Sequence, residues 1–117
     1  MDSDTYRLDE TIALWGDSNK KKIILRNRQT GKHYSFMLEN HFVIGRVKES
    51  CDLQITENDK YISGKHVRFF EVGDSVCVED MGSTNGTRVN GKRISSAVII
   101  RSGDILRIGR TEFEVLF

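Results

Sequence analysis

The sequence divides into short apolar segments separated by turn-forming residues, and this pattern restricts the fold more than any other feature. From Lys21 onward no segment exceeds seven residues, and glycine, asparagine or aspartate lies between most of them. Asn90-Gly91 is the strongest two-residue hairpin signal, and Gly31 lies in a second hairpin loop. The predicted strands cover residues 22–27, 33–38, 42–44, 52–55, 66–72, 75–80, 87–89, 92–94, 97–100, 104–108 and 111–117.

No window of the sequence sustains the apolar spacing of an amphipathic helix. In the last predicted strand, Phe113, Val115 and Phe117 alternate with Glu112 and Glu114, which places the two sets on opposite faces. About eleven short strands with closely spaced turns predict an all-β fold, an antiparallel β-sandwich. We expect residues 1–20 to form an acidic tail and residues 21–117 to form a single domain.

The charge distribution alone is typical of an ordinary solvated surface and leaves a small anionic ligand open as a partner. Residues 1–19 contain five acids and one base, a net charge of −4, whereas the rest contains 17 bases and 12 acids, a net charge of +5. So weak a charge does not predict duplex DNA binding, and the basic residues do not interleave with aromatic residues in one stripe. We therefore predict no nucleic-acid partner.

The cysteines and the apolar runs bear on location. Cys51 and Cys77 are too few for a disulfide framework or a zinc site, and they predict buried thiols in a reducing, intracellular compartment. We predict no metal and no cofactor. The longest apolar run, Ala97-Val98-Ile99-Ile100, is too short to cross a bilayer, and the acidic first residues do not resemble a signal peptide. We predict no membrane partner.

Three polar clusters lie where predicted strands meet loops. They are Gly45-Arg46, Ser63-Gly64-Lys65-His66 and Gly82-Ser83-Thr84-Asn85-Gly86-Thr87. Taken singly, each has a purely structural interpretation: a surface arginine at a strand end, a turn serine beside a buried histidine, and a tight-turn sequence.

Taken together, in this order and spacing, the clusters resemble the forkhead-associated (FHA) domain. The flanking Cys51-Asp52-Leu53-Gln54-Ile55, Glu79-Asp80, Asn90-Gly91 and Gly103-Asp104 also fit that family, and the resemblance covers residues 22–117. It implies an eleven-stranded β-sandwich whose loops at one end bind phosphothreonine peptides. The number of strands agrees with the number predicted above from turn signals.

The resemblance also implies roles for individual residues. Arg46 and Ser63 would hold the phosphate, with Thr84 as a second hydroxyl and Lys65 as an added charge. Asn85 would use its amide to grip the peptide backbone next to the phosphothreonine, since one side chain both donates and accepts.

Other residues of the clusters have structural or specificity roles by resemblance. His66 would hydrogen-bond neighbouring loops without touching the ligand, and Gly45 and Gly86 would permit tight turns. Lys60 and Tyr61 are the candidates for setting preference three residues after the phosphothreonine.

The sequence departs from the family pattern at Gly64, where many relatives carry a side chain that adds a phosphate contact. We expect lower affinity, or compensation from Lys65 and Lys48.

The segment 59–66 is also similar to the corresponding stretch of checkpoint and meiotic serine/threonine kinases of the nucleus. In those proteins an FHA module precedes a kinase domain. This similarity predicts a nuclear targeting module that acts in phospho-signalling, in the DNA damage checkpoint or meiosis.

The sequence also allows two other classes of function, an enzyme and a phosphate-independent interaction module. Ser63 and His66 could suggest an enzyme, but no third residue orients the histidine and no nucleotide-binding or metal-binding motif is present. The second alternative is a phosphate-independent interaction or dimerisation module, a monomer or weak dimer that associates through an exposed edge strand at 111–117 and the apolar Leu14 and Trp15.

Overall fold

The computed structural model describes residues 20–117, and that part is built from strands. It contains eleven strands and one short 3-10 helix, Lys48–Ser50. The strands are β1 (Lys21–Asn27), β2 (His33–Leu38), β3 (His41–Gly45), β4 (Leu53–Gln54), β5 (Val67–Val72), β6 (Ser75–Asp80), β7 (Thr87–Val89), β8 (Lys92–Arg93), β9 (Val98–Ile100), β10 (Ile105–Ile108) and β11 (Thr111–Leu116).

The strands form two sheets, which confirms the predicted β-sandwich. One sheet has the order β9-β6-β5-β3-β4, and the other has the order β2-β1-β11-β10-β7-β8. All neighbouring strands are antiparallel except β3 and β4, which are parallel. The Asn90-Gly91 hairpin is also confirmed, since both residues have the positive φ angles, 51° and 85°, that this tight turn requires.

The core lies between the sheets and is supplied by alternate residues of the strands. Ile23 and Leu25 of β1, and Phe113 and Val115 of β11, are fully buried. Phe69 of β5 faces them from the other sheet and packs edge-on against the ring of Phe36, with the ring centroids 5.4 Å apart. Burial of each large apolar side chain contributes about 1.5–3 kcal/mol to stability.

Three expectations from the sequence are wrong in detail. The strand predicted at 111–117 is not an exposed edge, because β11 is hydrogen-bonded to β1 on one side and β10 on the other. Phe117 lies beyond the end of β11 and is 43% exposed instead of joining Phe113 and Val115 in the core. Cys77 is buried as predicted, but Cys51 is only half-buried.

Residues 1–19, which include Leu14, Trp15 and all but the last residue of the expected acidic tail, lie outside the described residues. Within residues 20–117, no helix has the length and apolar character needed to cross a membrane.

The strand pairing brings the polar clusters to one end of the sandwich. Ile44, near the end of β3, lies opposite Val67 at the start of β5, and Val67 lies opposite Asp80 at the end of β6. In the other sheet, Thr87 at the start of β7 lies opposite Ile108 at the end of β10. The segments that leave the sheets at this end, called the loop end below, are 28–32, 46–52, 55–66, 81–86, 94–97 and 109–110.

A buried imidazole joins two of these segments. His66 is fully buried, its Nδ1 lies 3.0 Å from the Ser63 backbone nitrogen, and its Nε2 lies 2.9 Å from the Gly86 carbonyl oxygen. Because a backbone N–H can only donate, Nδ1 must accept, and the proton must reside on Nε2. The ring is therefore neutral, and burial lowers the pKa of His66 against the opposing influence of the Gly86 carbonyl and the Asp80 carboxylate.

A close backbone contact explains the glycine at the end of β3. A Cβ atom on Gly45 would lie 1.9 Å from the Gly64 carbonyl oxygen, a distance that no side chain tolerates. The backbone N–H of Arg46 donates to the Ser63 carbonyl at 3.0 Å, so the two segments are held against each other. Gly45 thus allows the segment carrying Arg46 to touch the segment carrying Ser63.

We predict that Gly45→Ala lowers the free energy of unfolding by about 1–3 kcal/mol, because the added methyl group displaces backbone atoms. Urea denaturation measures the loss. Gly64→Ala is the matched control, since its Cβ would meet only a methyl group of the exposed Val47, at 3.1 Å. Equal stabilities of the two variants would contradict the proposed contact.

We predict that stability falls as the pH drops below about 6.5, the ordinary pKa of histidine. Below that pH His66 is protonated in the unfolded chain but stays neutral in the folded protein, because burial has lowered its pKa. Between the two pKa values, His66 therefore lowers the free energy of unfolding by up to about 1.4 kcal/mol for each pH unit. The check is urea denaturation at several pH values: His66→Gln should flatten the profile, and His41→Gln, at an exposed position, should not. A profile unchanged by His66→Gln would contradict the neutral, buried imidazole.

Candidate functional site

Arg46 and Ser63, seventeen positions apart in the chain, lie together at the loop end. Besides the backbone hydrogen bond between them, the Arg46 side chain donates from Nε to the Ile62 carbonyl oxygen at 2.7 Å. The neighbouring Gln54 donates from Nε2 to the Arg46 carbonyl at 3.1 Å. Arg46 is exposed, but hydrogen bonds fix both its backbone and the Nε atom of its guanidinium.

Three side chains at this place have N–H or O–H groups that donate to no other residue within the described part of the chain. Arg46 uses only Nε, so its two terminal nitrogens are free to donate outward. Ser63 Oγ accepts from the Thr84 N–H at 3.0 Å, which leaves its own hydroxyl proton free. The Thr84 side chain is exposed and makes no hydrogen bond within residues 20–117. The Arg46 guanidinium and the hydroxyls of Ser63 and Thr84 are therefore available to donate to a ligand.

The lysines near these donors add positive charge without fixed contacts. Lys65 and Lys48 are exposed, and neither forms an ion pair within the part of the chain that the structure describes. Between Ser63 and Lys65, Gly64 contributes its carbonyl, which lies 3.4 Å from the Val47 backbone nitrogen. Gly64 therefore helps to hold the segment that carries Ser63 against the segment that carries Arg46 and Val47.

The segment 81–86 is organised by Asp80, a residue to which sequence reasoning gave no role. Its carboxylate accepts hydrogen bonds from the backbone and hydroxyl of Ser83, at 2.9 and 2.5 Å, and from the Thr87 hydroxyl at 2.6 Å. Burial opposes ionisation of Asp80, but the Ser83 and Thr87 hydrogen bonds outweigh burial and leave its pKa lowered. Ser83 Oγ in turn accepts from the Gly86 N–H at 2.9 Å.

Gly86 and Asn85 connect this segment to the rest of the loop end. Gly86 has a positive φ of 83° and presents its carbonyl to His66. Asn85 is exposed and donates from Nδ2 to the Tyr61 carbonyl at 3.1 Å. Half of the Asn85 amide is therefore used to position it, and its Oδ1 makes no hydrogen bond within residues 20–117.

Tyr61 and Lys60 lie in a cluster of aromatic and cationic groups. The Arg110 guanidinium lies 4.0 Å from the centroid of the Tyr61 ring, and the Lys60 ammonium lies 5.6 Å from it. Arg110 comes from the turn between β10 and β11, so sequence reasoning could not place it beside Tyr61.

The segment carrying Tyr61 is fixed by Asp59, which is buried. The Asp59 carboxylate accepts from the Tyr61 N–H at 3.0 Å, the Arg110 N–H at 2.7 Å and the Thr111 hydroxyl at 2.7 Å. Burial opposes its ionisation, but these hydrogen bonds and the charge of Arg110 outweigh burial, so the pKa of Asp59 is lowered. The Asp59-x-Tyr61 spacing is a turn signal that sequence alone contains, whereas the bonds to Arg110 and Thr111 are long-range.

Two adjoining clefts meet at Tyr61 and Arg110. The larger, about 890 Å³, is lined on one side by Lys60 and Tyr61 and on the other by Arg28 and Glu112. The smaller, about 530 Å³, includes Tyr61 and Asn85. Neither is lined by Arg46 or Ser63. The donors therefore lie outside both clefts, an arrangement that suits a group projecting from an extended chain.

The geometry does not form a nucleophile and base. His66 Nδ1 accepts from the Ser63 backbone and not from its hydroxyl, and Nε2 is occupied by the Gly86 carbonyl. An activated serine requires the base to bond its hydroxyl. Within residues 20–117, no cluster of three or more potential metal ligands is found either.

Comparisons with known proteins identify the family to which the chain is similar. The family model of the FHA domain matches residues 42–109. The FHA domain-containing protein FhaB of Mycobacterium tuberculosis is 36% identical over 77 residues, which cover 66% of this chain and 48% of FhaB. The chain thus spans about half the length of that relative.

Two further similarities extend the comparison. A structure solved for a study of phosphothreonine-dependent FHA domain interactions superposes with a TM-score of 0.70 at 26% identity, covering 83% of this chain and 97% of that one. The "Probable serine/threonine-protein kinase fhkB" of Dictyostelium discoideum is 28% identical over 101 residues, covering 68% of this chain and 9% of the kinase. The family match and the shared fold lead to one conclusion: this chain belongs to the FHA domain family.

Proposed function

We propose that this domain binds phosphothreonine-containing segments of partner proteins, with Arg46, Ser63 and Thr84 holding the phosphate. The observation that carries the proposal is the state of Arg46. Its Nε is bound to the Ile62 carbonyl beside Ser63, and its two terminal nitrogens have no partner within residues 20–117. A guanidinium held in this way presents a preorganised pair of donors to an oxyanion.

The chemistry of the group matches the donors. A phosphothreonine carries about −1.5 to −2 charges and three strong acceptor oxygens at neutral pH. Charge-assisted hydrogen bonds contribute about 1.5–3 kcal/mol each, so two or three of them support micromolar binding after the cost of association. Lys65 and Lys48 add exposed positive charge, which compensates for the missing side chain at Gly64.

The peptide would cross the site beside the phosphate. We propose that Asn85 binds its backbone, because the Oδ1 of Asn85 remains free while Nδ2 is fixed on Tyr61. Lys60 and Tyr61 would contact the residue three positions after the phosphothreonine, since they line the adjoining cleft. In this scheme His66, Gly45 and Gly86 shape the loops and do not touch the ligand.

The comparisons support a binding role over a catalytic one. The FHA domain is a binding module and not an enzyme, and the solved relative of 26% identity comes from a study of phosphothreonine-dependent interactions. The phosphate-independent alternative loses its structural basis at 111–117, since β11 is an interior strand. That the domain is a monomer or weak dimer, without a nucleic-acid or membrane partner, remains our prediction.

We further propose that the domain directs an attached protein to phosphorylated partners inside the cell. The similarity to the kinase fhkB supports a kinase as one such protein, and the two free cysteines support a reducing compartment. A nuclear location, and a role in the checkpoint or in meiosis, gain no such support, because the FhaB relative is bacterial.

We predict that a fluorescein-labelled peptide containing phosphothreonine binds more tightly than its phosphoserine, glutamate and unmodified counterparts. One methyl group in a fitted contact is worth about 10–200-fold, which sets the expected difference between phosphothreonine and phosphoserine. Fluorescence anisotropy measures the four affinities. Equal binding of all four peptides would refute the proposed function and favour the phosphate-independent alternative.

We predict that Arg46→Ala weakens phosphopeptide binding at least about 100-fold, the loss of two charge-assisted hydrogen bonds, while the melting temperature falls by only a few degrees, the effect of losing the single hydrogen bond to the Ile62 carbonyl. Arg46→Lys should recover only part of the affinity, because an ammonium keeps the charge without the fork of donors. Arg101→Ala, which removes an exposed arginine from the turn before β10, is the control. A collapsed melting temperature would instead assign Arg46 a structural role.

A further inference from the structure

Three arginines lie side by side on the outer face of the six-stranded sheet. Arg107 of β10 is paired directly with Arg88 of β7, and Arg88 is paired directly with Arg93 of β8. All three are exposed, and residues paired in this way project from the same face of a sheet. The Arg93 guanidinium turns toward the loop end and covers Gly86, whereas Arg88 and Arg107 line one cleft together. With strands about 4.8 Å apart, this arginine row spans about 10 Å.

The arginine row is neutralised only in part by the described residues. Ion pairs within residues 20–117 join carboxylates to Arg26, Arg28 and Arg68 and to no member of the row. Glu112 of β11 is nevertheless the direct strand partner of Arg107, so the row has a carboxylate at that end. Arg88 donates to the Gly91 carbonyl at 3.2 Å and Arg107 to the Gly109 carbonyl at 3.3 Å, so both bind neutral groups. Like charges directly opposite each other destabilise a sheet, and the fold contains two such pairs in succession.

The arginine row continues into the candidate site. Arg88, Arg107 and Arg110 line the cleft of about 530 Å³ that also includes Tyr61 and Asn85. The one carboxylate in that lining is Glu112, which is the strand partner of Arg107 and is ion-paired with Arg28 at 2.9 Å. Three arginines against one shared carboxylate leave the cleft with a net positive charge, which a chain lying against Asn85 meets as it leaves the phosphate donors.

We propose that the arginine row, together with Arg110, binds an acidic stretch of the same polypeptide that supplies the phosphothreonine. The inference rests on the proposed function and adds a ligand class to it: phosphothreonine peptides with two or three aspartates or glutamates next to the phosphorylated residue. Alternate side chains of an extended peptide are about 6.8 Å apart, so two or three acids match a row of this length. Long arginine side chains cover the remaining difference in spacing.

The dimensions favour a peptide over a nucleic acid. A row of about 10 Å accommodates few phosphates, whereas nucleic-acid proteins neutralise many phosphates along an extended groove. Within the row no aromatic side chain alternates with the arginines, and Tyr61 is already covered by Arg110 at 4.0 Å. Base stacking, on which single-strand binding depends, thus has no free platform at this place.

The test compares labelled phosphothreonine peptides that differ only in their flanks: one with neutral alanine and glycine flanks, and two with an aspartate tract either before or after the phosphothreonine. We expect at least one acidic peptide to bind about tenfold more tightly than the neutral one at low salt, the combined effect of two or three exposed charge pairs. Rising ionic strength should reduce this gain. The variant Arg88→Gln/Arg107→Gln should remove most of the gain but still bind the neutral phosphopeptide, and Arg101→Gln should preserve the gain.

The outcomes separate the two proposals. If the neutral phosphopeptide binds through Arg46 but the acidic tracts add nothing, or add equally to the double variant, the inference is wrong and the proposed function stands. If no phosphopeptide binds, the proposed function fails and the inference fails with it. Tighter binding of a single-stranded oligonucleotide than of the acidic peptides, lost in the same double variant, would also overturn the inference. Melting temperatures verify that each variant is folded.

Discussion

The hydrogen bonds of one buried imidazole are the constraint on which the loop end depends. His66 accepts from the Ser63 backbone and donates to the Gly86 carbonyl, and so joins a loop of the five-stranded sheet to the segment 81–86, which crosses from that sheet to the other. Because the ring is fully buried and neutral, neither bond competes with water. The positions of Ser63 and of the turn that carries Thr84 and Asn85 are consequences of this arrangement.

Two carboxylates complete the frame around His66. Asp80 folds the segment 81–86 around Ser83, and Asp59 ties the segment of Tyr61 to the turn between β10 and β11. Each carboxylate accepts several hydrogen bonds, and their effect exceeds that of burial, so each has a lowered pKa. Their contribution to stability is therefore complete above the ordinary aspartate pKa and is lost as the pH falls through the lowered values. The hydrogen-bond donors around Asp59 and Asp80 are used by these two carboxylates, whereas those of Arg46, Ser63 and Thr84 remain available to a ligand.

The sequence was sufficient to predict what depends on local pattern. Strand alternation and turn residues gave eleven strands within a few residues of their observed bounds, because side-chain periodicity and positive φ angles are local properties. The meeting of Arg46 with Ser63 followed from a resemblance of ordered motifs, and the strand pairing at Ile44 and Val67 supplies its physical reason. What depends on topology was missed: β11 is interior because β1 and β10 flank it, and no pattern within residues 111–117 contains that information. The stacking of Arg110 on Tyr61 and the alignment of Arg88 with Arg107 are likewise products of pairing between distant strands.

The central claim is that the guanidinium of Arg46 and the hydroxyl of Ser63 hold one phosphate group. A crystal structure of the domain with a bound phosphothreonine peptide tests it most directly. The account predicts phosphate oxygens within about 3 Å of the terminal nitrogens of Arg46 and of Ser63 Oγ, with the peptide backbone beside Asn85. A phosphate seated instead in the cleft between Arg28 and Lys60, with Arg46 and Ser63 free of it, would contradict the account.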